Sequence, residues 1–237
     1  MAESIPVTPT PRRTWRRRLV AVAVAAALGL AVYSFRRPLF HGNFGVVEPG
    51  LVFRSAQPHR GFAGLIRTRR LASVLNLRGG SVADPWYADE VRLTGAAGVD
   101  FYDFPMSATR RPSRAELLVL LDVFQRCRYP LLIHCKSGAD RTGLATALYL
   151  MAVKSVAPER ALGAFTLDYG HVPLGGPERL HEPLAEYAAY LKGRGCEHTP
   201  ERLRRWVETE YATDRPAAVR PLRPGPREAL ARGSVAR

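Results

Sequence analysis

The stretch LLIHCKSGADRTGLATALYLM, residues 131–151, decides the fold of this 237-residue chain. Its first residues form an apolar run that predicts a buried β-strand, and the residues from Thr142 onward have the pattern of a buried helix. The seven residues from Cys135 to Arg141 leave room only for a tight loop between them, and Gly138 gives that loop its turn. The stretch therefore predicts a strand, a short loop and a helix whose N-terminus faces the loop.

Strand and helix patterns alternate along the preceding part of the chain as well. A helix is predicted to begin at Ser113, because Ser113 and Glu116 have the spacing of a capping box and apolar residues follow at helical spacing. This alternation favours an α/β fold with a central, mostly parallel sheet flanked by helices and with functional loops at the carboxyl ends of the strands. The other β-type runs lie at Val46–Val47, Leu51–Arg54, Ser73–Leu77 and Val99–Phe104.

The charge of the chain is positive but unevenly spread. Lys and Arg number 35 against 21 Asp and Glu, a formal net charge of +14. Much of the excess lies near the two ends, so the sequence predicts no nucleic-acid-binding face on the domain between them. The three cysteines include no CxxC pair, so neither a disulfide framework nor a Cys-rich zinc site is predicted.

An uncharged segment near the N-terminus predicts a membrane anchor. Residues 19–35 are 17 uncharged, mostly apolar residues with arginines on both sides. As a helix they would extend about 25 Å, a little under the ~30 Å of a bilayer core. We therefore expect a basic segment at residues 1–18, a single transmembrane helix at residues 19–35, and the following domain on the extracytoplasmic side. A cleaved secretory signal is the alternative, because a small-residue site, Gly29 to Ala31, lies in the apolar run.

The C-terminal end of the chain has a different composition. Residues 213–237 contain four prolines among scattered arginines, a pattern that predicts a disordered Arg/Pro-rich tail. The folded domain is therefore expected over residues 45–212.

The loop between strand and helix has the residues of a phosphate site with a nucleophile. Backbone N–H groups of a curled loop, together with the helix dipole, point into one concave site of the size of a phosphate dianion. Arg141 supplies a planar fork that binds two oxygens at once. The same positive field stabilises a thiolate at Cys135, and the Thr142 hydroxyl is placed to hydrogen-bond the sulfur when it leaves.

The spacing of Cys135 and Arg141 alone has little weight in so arginine-rich a chain. Cys196 also has an arginine six positions later, at Arg202. That second segment contains two glutamates and a proline, has no glycine and follows no strand pattern. Only Cys135 combines the spacing with a preceding strand, a loop glycine and a following helix.

At these residues the chain resembles the cysteine-dependent protein tyrosine phosphatase superfamily, in particular its compact dual-specificity-like bacterial members. The matching motif is HCKSGADRTG at residues 134–143, and similar segments are PGLVFRSAQP at 49–58, VLNLRGG at 74–80 and Tyr-Gly-His at 169–171. The resemblance implies a dual-specificity phosphatase-like domain within residues 45–212, a phosphocysteine intermediate at Cys135 and no metal or cofactor. It also implies that phosphate is bound by Lys136, Ser137, Gly138, Ala139, Asp140 and Arg141.

The chain departs from the family pattern at the general acid. Family members usually carry an Asp on a loop after the strand that precedes the signature, commonly as Trp-Pro-Asp, but here the stretch reads Phe-Pro-Met at residues 104–106. Two other carboxylates are candidates. Asp140 lies within the loop, as in myotubularin-like lipid phosphatases, and a phosphate-rich site favours its protonated form. Asp103 lies at the end of the preceding strand pattern and is the alternative.

The resemblance leaves the substrate open. A phosphorylated protein, as for tyrosine and dual-specificity phosphatases, is one class, and a phospholipid or inositol phosphate is the other. Lys136 resembles the basic loop residue of lipid-active relatives and is equally explained as a solvated lysine at the rim. The missing Trp-Pro-Asp motivates a further alternative, a phosphate-binding pseudophosphatase, although Cys135, Arg141 and Thr142 are all present.

Three other residues are weaker candidates. His171 either lines the pocket or is a hydrogen-bonded helix-end histidine. Arg54 and Arg78 each follow a strand pattern, so they either point to the face of Cys135 or satisfy turn carbonyls.

Overall fold

The computed structural model describes residues 11–34, 36–37 and 41–212, and these contain one five-stranded sheet in the order β1-β2-β5-β3-β4. β1 pairs antiparallel with β2, and the other neighbours pair parallel. The predicted mostly parallel sheet is confirmed, with a strand at each of the five apolar runs. The strands are β1 Gly45–Glu48, β2 Val52–Ser55, β3 Ser73–Asn76, β4 Asp100–Asp103 and β5 Leu131–His134.

Helices cover both faces of the sheet. One face packs against α2 and α3, and the other packs against a layer made by α4 to α8. Three short 3₁₀ helices, Leu162–Ala164, Leu167–Tyr169 and Pro177–Leu180, connect the last helices. The α-helices are α1 Pro11–Ser34, α2 Phe62–Arg69, α3 Pro85–Ala96, α4 Arg114–Arg126, α5 Asp140–Ala152, α6 Pro158–Ala161, α7 Glu182–Arg194 and α8 Pro200–Thr209.

The capping box predicted for α4 is confirmed. The Ser113 hydroxyl accepts a hydrogen bond from the Glu116 N–H, and the Ser113 N–H donates to the Glu116 carboxylate. These two bonds satisfy backbone donors that the first turn of a helix otherwise leaves unpaired.

The predicted transmembrane helix is wrong, and with it the single-pass membrane localisation and the extracytoplasmic placement of the domain. Among the residues that the structure describes, no helix has the length and apolarity needed to cross a bilayer. α1 has 24 residues, but its first third carries the arginines. The uncharged remainder, from Leu19 to Ser34, extends only about 24 Å at ~1.5 Å per residue, short of the ~30 Å of a hydrocarbon core.

Two other predicted segments lie partly or wholly outside the residues that the structure describes. The Arg/Pro-rich tail at residues 213–237 lies outside the described residues, as do residues 1–10 of the basic segment.

The strand register brings several polar residues to one edge of the sheet. His134 at the end of β5 pairs with Ser55 at the end of β2 and with Asn76 at the end of β3. Asn76 in turn pairs with Asp103 at the end of β4. Since parallel strands end at the same edge, the loop after His134 is surrounded by the loops that follow the other three strands.

Candidate active site

The loop after β5 curls around the sulfur of Cys135. The Gly138 N–H donates a hydrogen bond to Cys135 Sγ at 3.2 Å, and the Cys135 side chain is buried. Gly138 has a φ of +75°, and a Cβ at this position would lie 2.5 Å from the Ala56 nitrogen. Only glycine fits this turn, because other residues would be strained by the backbone angle and would also clash with the chain after β2.

A buried arginine from β2 supports the Cys135 loop through hydrogen bonds to backbone carbonyls. Arg54 is 2% exposed, and its guanidinium donates to the Gly138 carbonyl at 2.9 Å and to the Ala164 carbonyl at 2.7 Å. The guanidinium lies 3.7 Å from the centre of the Tyr169 ring. Burial lowers the pKa of Arg54 to about 10, while the neighbouring Tyr169 and Cys135 act in the opposite direction. Arg54 therefore keeps its charge at neutral pH and places a cation beside the Cys135 loop.

Two backbone carbonyls of the loop are bound by residues that precede β1 or follow β2. Asn43 is fully buried, and its amide donates to the Ser137 carbonyl at 2.7 Å and to the Tyr169 carbonyl at 2.8 Å. The Gln57 N–H donates to the Lys136 carbonyl at 3.2 Å. Together with the bond from Arg54 to the Gly138 carbonyl, these two bonds fix the backbone of the loop.

Arg141 stands at the opening between the Cys135 loop and the loops after β3 and β4. Its Nη1 donates to the Leu77 carbonyl at 3.2 Å and to the Met106 carbonyl at 3.3 Å. Within the described part of the chain its buried Nε has no hydrogen-bond partner. Ala139 is the N-cap residue of α5 and provides no side-chain bond to the first turn. Donors at the start of α5 are therefore available to an anion.

The remaining signature residues differ in exposure. Thr142 is fully buried, and its hydroxyl has no hydrogen-bond partner among residues 11–34, 36–37 and 41–212. Lys136 and Ser137 are exposed at the rim of the loop.

The two candidate general acids lie in different surroundings. Asp140 is partly exposed, and its Oδ1 lies 2.7 Å from His171 Nδ1. Asp103 is buried, and its carboxylate accepts hydrogen bonds from the Asn76 amide at 3.2 Å and from the Tyr87 hydroxyl at 2.9 Å. Asp140 therefore belongs to the loop of Cys135, whereas Asp103 is bound within the core at the end of β4.

The residue before Cys135 is held by a buried carboxylate. His134 Nε2 lies 2.7 Å from Glu90 Oε1, and neither side chain is more than 1% exposed. The other oxygen of Glu90 accepts a hydrogen bond from the Gln57 side chain at 2.7 Å. α3 thus contributes a carboxylate to the support of the loop, through the same Gln57 whose N–H binds Lys136.

The other two cysteines lie in different surroundings. Burial raises the pKa of the Cys127 thiol to about 11, so this thiol is protonated at neutral pH. Cys196 is partly exposed in the segment between α7 and α8. Among the described residues, no three or more His, Cys, Asp or Glu side chains are grouped to hold a metal ion.

Sequence reasoning found the loop but missed much of its support. For Arg54 the sequence leaves two interpretations open, and the structure shows that both hold: its guanidinium binds backbone carbonyls and also faces the Cys135 loop. Its signal was a lone charge in an apolar strand run. Asn43 and His181, whose Nε2 lies 2.8 Å from His171 Nε2, had no such signal, because neither belongs to a recognisable motif and each reaches the site from a distant part of the sequence.

Part of the chain is similar in sequence to known proteins. Residues 88–159 match the family model described as the tyrosine phosphatase family. The inositol diphosphatase DSP1 of Oryza sativa subsp. japonica is 34% identical over 109 residues, which are 43% of this chain and 46% of that protein. The inositol diphosphatase DSP3 of Arabidopsis thaliana is 29% identical over 109 residues, 43% of this chain and 50% of that protein. The chain spans about half the length of the curated relatives it matches.

Solved structures give a comparison of folds. The core catalytic domain of the PP-IP phosphatase SIW14 from S. cerevisiae, in complex with citrate, aligns with a TM-score of 0.50 and 20% identity, over 65% of this chain and 93% of that one. A TpbA variant from P. aeruginosa in complex with pTyr aligns with a TM-score of 0.47 and 23% identity, over 72% of this chain and 99% of that one. The likeness to SIW14 shows a shared fold. The family match over residues 88–159 and the HCKSGADRTG loop support a relation of the chain to the cysteine-dependent tyrosine and dual-specificity phosphatase-like superfamily.

Proposed function

We propose that this protein hydrolyses phosphomonoesters through a phosphocysteine intermediate at Cys135. The observation that carries the proposal is the hydrogen bond from the Gly138 N–H to Cys135 Sγ at 3.2 Å, in a loop between a buried strand and a helix N-terminus. A donor directed at the sulfur stabilises a thiolate, and the charge of Arg54 acts in the same direction.

In the first step the Cys135 thiolate attacks phosphorus, so that a sulfur–phosphorus bond forms and the bond to the leaving oxygen breaks. Asp140 gives its proton to that oxygen. The guanidinium of Arg141 and the N–H groups at the start of α5 bind the phosphoryl oxygens, and the Arg141 Nε, which has no partner among the described residues, supports this role.

In the second step water attacks phosphorus, the sulfur–phosphorus bond breaks and inorganic phosphate leaves. The Asp140 carboxylate takes the proton of the water, which restores the acid for the next cycle. The Thr142 hydroxyl donates to the departing sulfur, a role supported by its burial and by the lack of a partner for this hydroxyl in the part of the chain that the structure describes.

The first test is the substitution Cys135→Ser, assayed on an aryl phosphate. We expect turnover to fall to background while the variant still binds inorganic phosphate, because serine lacks the nucleophilic thiolate but leaves the amide cradle in place. Cys127→Ser and Cys196→Ser are the matched controls and are expected to keep the wild-type rate. A Cys135→Ser variant that hydrolyses the aryl phosphate at the wild-type rate would rule out this mechanism.

For the substrate we propose the phosphotyrosine class, supported by the match of residues 88–159 to the tyrosine phosphatase family, with inositol or lipid phosphates as the second candidate. The match to two inositol diphosphatases and the exposed Lys136 beside the loop favour that second candidate. Phosphate release from phosphotyrosine peptides, phosphoserine peptides, phosphoinositides and soluble inositol phosphates ranks the classes.

The substitution Lys136→Ala then tests the reason for the ranking. A second phosphate contact matters for a polyphosphorylated ring and little for a phosphotyrosine peptide, so we expect a selective loss on inositol phosphates if they are the substrates. An equal loss on both classes would remove the support that Lys136 gives to the inositol phosphate candidate.

A further inference from the structure

Two histidines extend the Asp140 carboxylate into a hydrogen-bonded chain. Asp140 Oδ1 lies 2.7 Å from His171 Nδ1, and His171 Nε2 lies 2.8 Å from His181 Nε2. His171 is buried, and the ring of Phe165 packs against both imidazoles, with ring centres 4.9 and 4.2 Å apart. His171 follows the 3₁₀ helix Leu167–Tyr169, and His181 precedes α7, so two separate segments converge on one carboxyl group.

The geometry restricts where protons can lie. Two nitrogens 2.8 Å apart share a single proton, because a hydrogen on each would bring two donors face to face. If His181 donates to His171, then His171 donates to Asp140 Oδ1, which leaves Oδ2 as the site of the proton of the acid. If Asp140 carries a proton on Oδ1, every bond in the chain runs the other way, and that proton faces His171 and not the substrate.

We propose that His171 and His181 are positioning residues that fix the orientation of the Asp140 carboxyl group. The inference rests on the proposed function, in which Asp140 is the general acid. His171 Nδ1 donates to Oδ1, so the proton that Asp140 gives to the leaving oxygen of the substrate is carried on Oδ2. His181 donates to His171 Nε2 and so keeps the His171 proton on Nδ1.

The surroundings of His181 favour its neutral form. Burial and the neighbouring His171 lower the pKa of His181, whereas Asp140 and Glu178 act in the opposite direction. The net shift is downward, and a neutral ring can still donate its Nε2–H to His171.

The experiment compares an aryl phosphate, whose leaving group needs little protonation, with an alkyl phosphate, whose leaving group needs much. For His171→Ala we expect the alkyl rate to fall about tenfold more than the aryl rate, a fraction of the ~10² to 10⁴ that a general acid supplies. His171→Asn should restore part of the alkyl rate, because an asparagine amide can donate to Oδ1 from near the position of Nδ1. His181→Phe keeps a ring against Phe165 and should give a smaller selective loss.

The double variant separates action through Asp140 from a merely structural role. If the histidines act through the acid, His171→Ala adds little to the loss caused by Asp140→Asn, since the group it positions is already gone. His198→Gln, which changes a hydrogen-bonded histidine outside the site, is the control and should leave the alkyl-to-aryl ratio unchanged.

The outcomes are distinguishable from failure of the proposed function. If the wild-type protein shows no turnover that depends on Cys135, the phosphatase proposal itself is rejected. Cys135-dependent turnover together with equal losses on both substrates in His171→Ala and His181→Phe, or with additive losses in the double variant, would overturn the histidine inference alone.

Discussion

Gly138 combines two constraints at a single residue of the Cys135 loop. Its φ of +75° is a conformation that residues with a Cβ adopt at a cost, and an added Cβ would lie within 2.6 Å of the Ser55 carbonyl carbon. Its N–H is also the donor to Cys135 Sγ. The backbone conformation that leaves no room for a Cβ is thus the one that directs the amide at the sulfur.

Gly138→Ala is therefore expected to impair both stability and catalysis. Strain of this kind costs about 1–3 kcal/mol, and the loop can relieve it only by moving its amide away from the sulfur. Denaturant unfolding and the rate on an aryl phosphate measure the two effects. Gly193→Ala, in α7, is the matched control, since its Cβ would meet nothing within 4 Å, and it should be neutral or stabilising by up to ~1 kcal/mol. Equal behaviour of the two variants would contradict the argument.

At the scale of elements, the short segment before β1 is part of the support of the loop. Asn43 joins this segment to the Ser137 carbonyl and to the Tyr169 carbonyl. Nearby, Arg37 pairs with Asp168 in the 3₁₀ helix that carries Tyr169. A folded unit that begins at residue 45, as the sequence predicts, would omit Asn43, so we propose that the catalytic unit begins before it.

The substitution Asn43→Asp tests the importance of this segment. It keeps the shape of the side chain but replaces an amide donor with a carboxylate oxygen, which would face two carbonyl oxygens in a buried site. We expect a loss of about 2–4 kcal/mol in the free energy of unfolding, because both bonds are lost and a charge is buried unpaired. Urea unfolding measures the change, and a reduced rate on an aryl phosphate should accompany it. Wild-type stability would show that the segment does not hold the loop.

The elements themselves could be predicted because their signals are local. Leu131–His134 is an uninterrupted apolar run, and the Ser113–Glu116 cap lies within four residues, so both follow from short-range chemistry. The supporting contacts could not be predicted in this way. Asn43 and Ser137 are 94 residues apart, and Arg54 and Ala164 are 110 apart, so their pairing depends on the completed fold. The anchor prediction failed for a different reason: the uncharged part of α1 is too short for a bilayer core, and the charged first third of the helix does not extend the apolar part.

At the scale of the whole molecule, the helical layer of α4 to α8 covers the face of the sheet on which α5 begins. His198 joins two parts of this layer, because its ring nitrogens bind the Met151 carbonyl at the end of α5 and the Tyr187 hydroxyl in α7. Nε2 donates to the carbonyl, so in the neutral ring Nδ1 accepts from Tyr187. Both nitrogens are satisfied without an extra proton.

Stability is therefore expected to fall as the pH drops below about 6.5, the ordinary pKa of histidine. Burial lowers the pKa of His198. Burial, and to a smaller extent the neighbouring His171, lowers the pKa of His181. In this pH range the unfolded chain therefore binds more protons than the folded chain. By linkage, stability is complete above the unfolded pKa and is lost as the pH falls below it. Melting temperatures at about pH 7 and about pH 5.5 measure the loss, a window in which most carboxylates stay ionised. His198→Gln can still donate to the Met151 carbonyl but cannot titrate, so its melting temperature should fall less over the same interval. A wild-type protein whose stability is flat across the window, or a His198→Gln variant with an unchanged slope, would show that protonation of His198 is not coupled to folding.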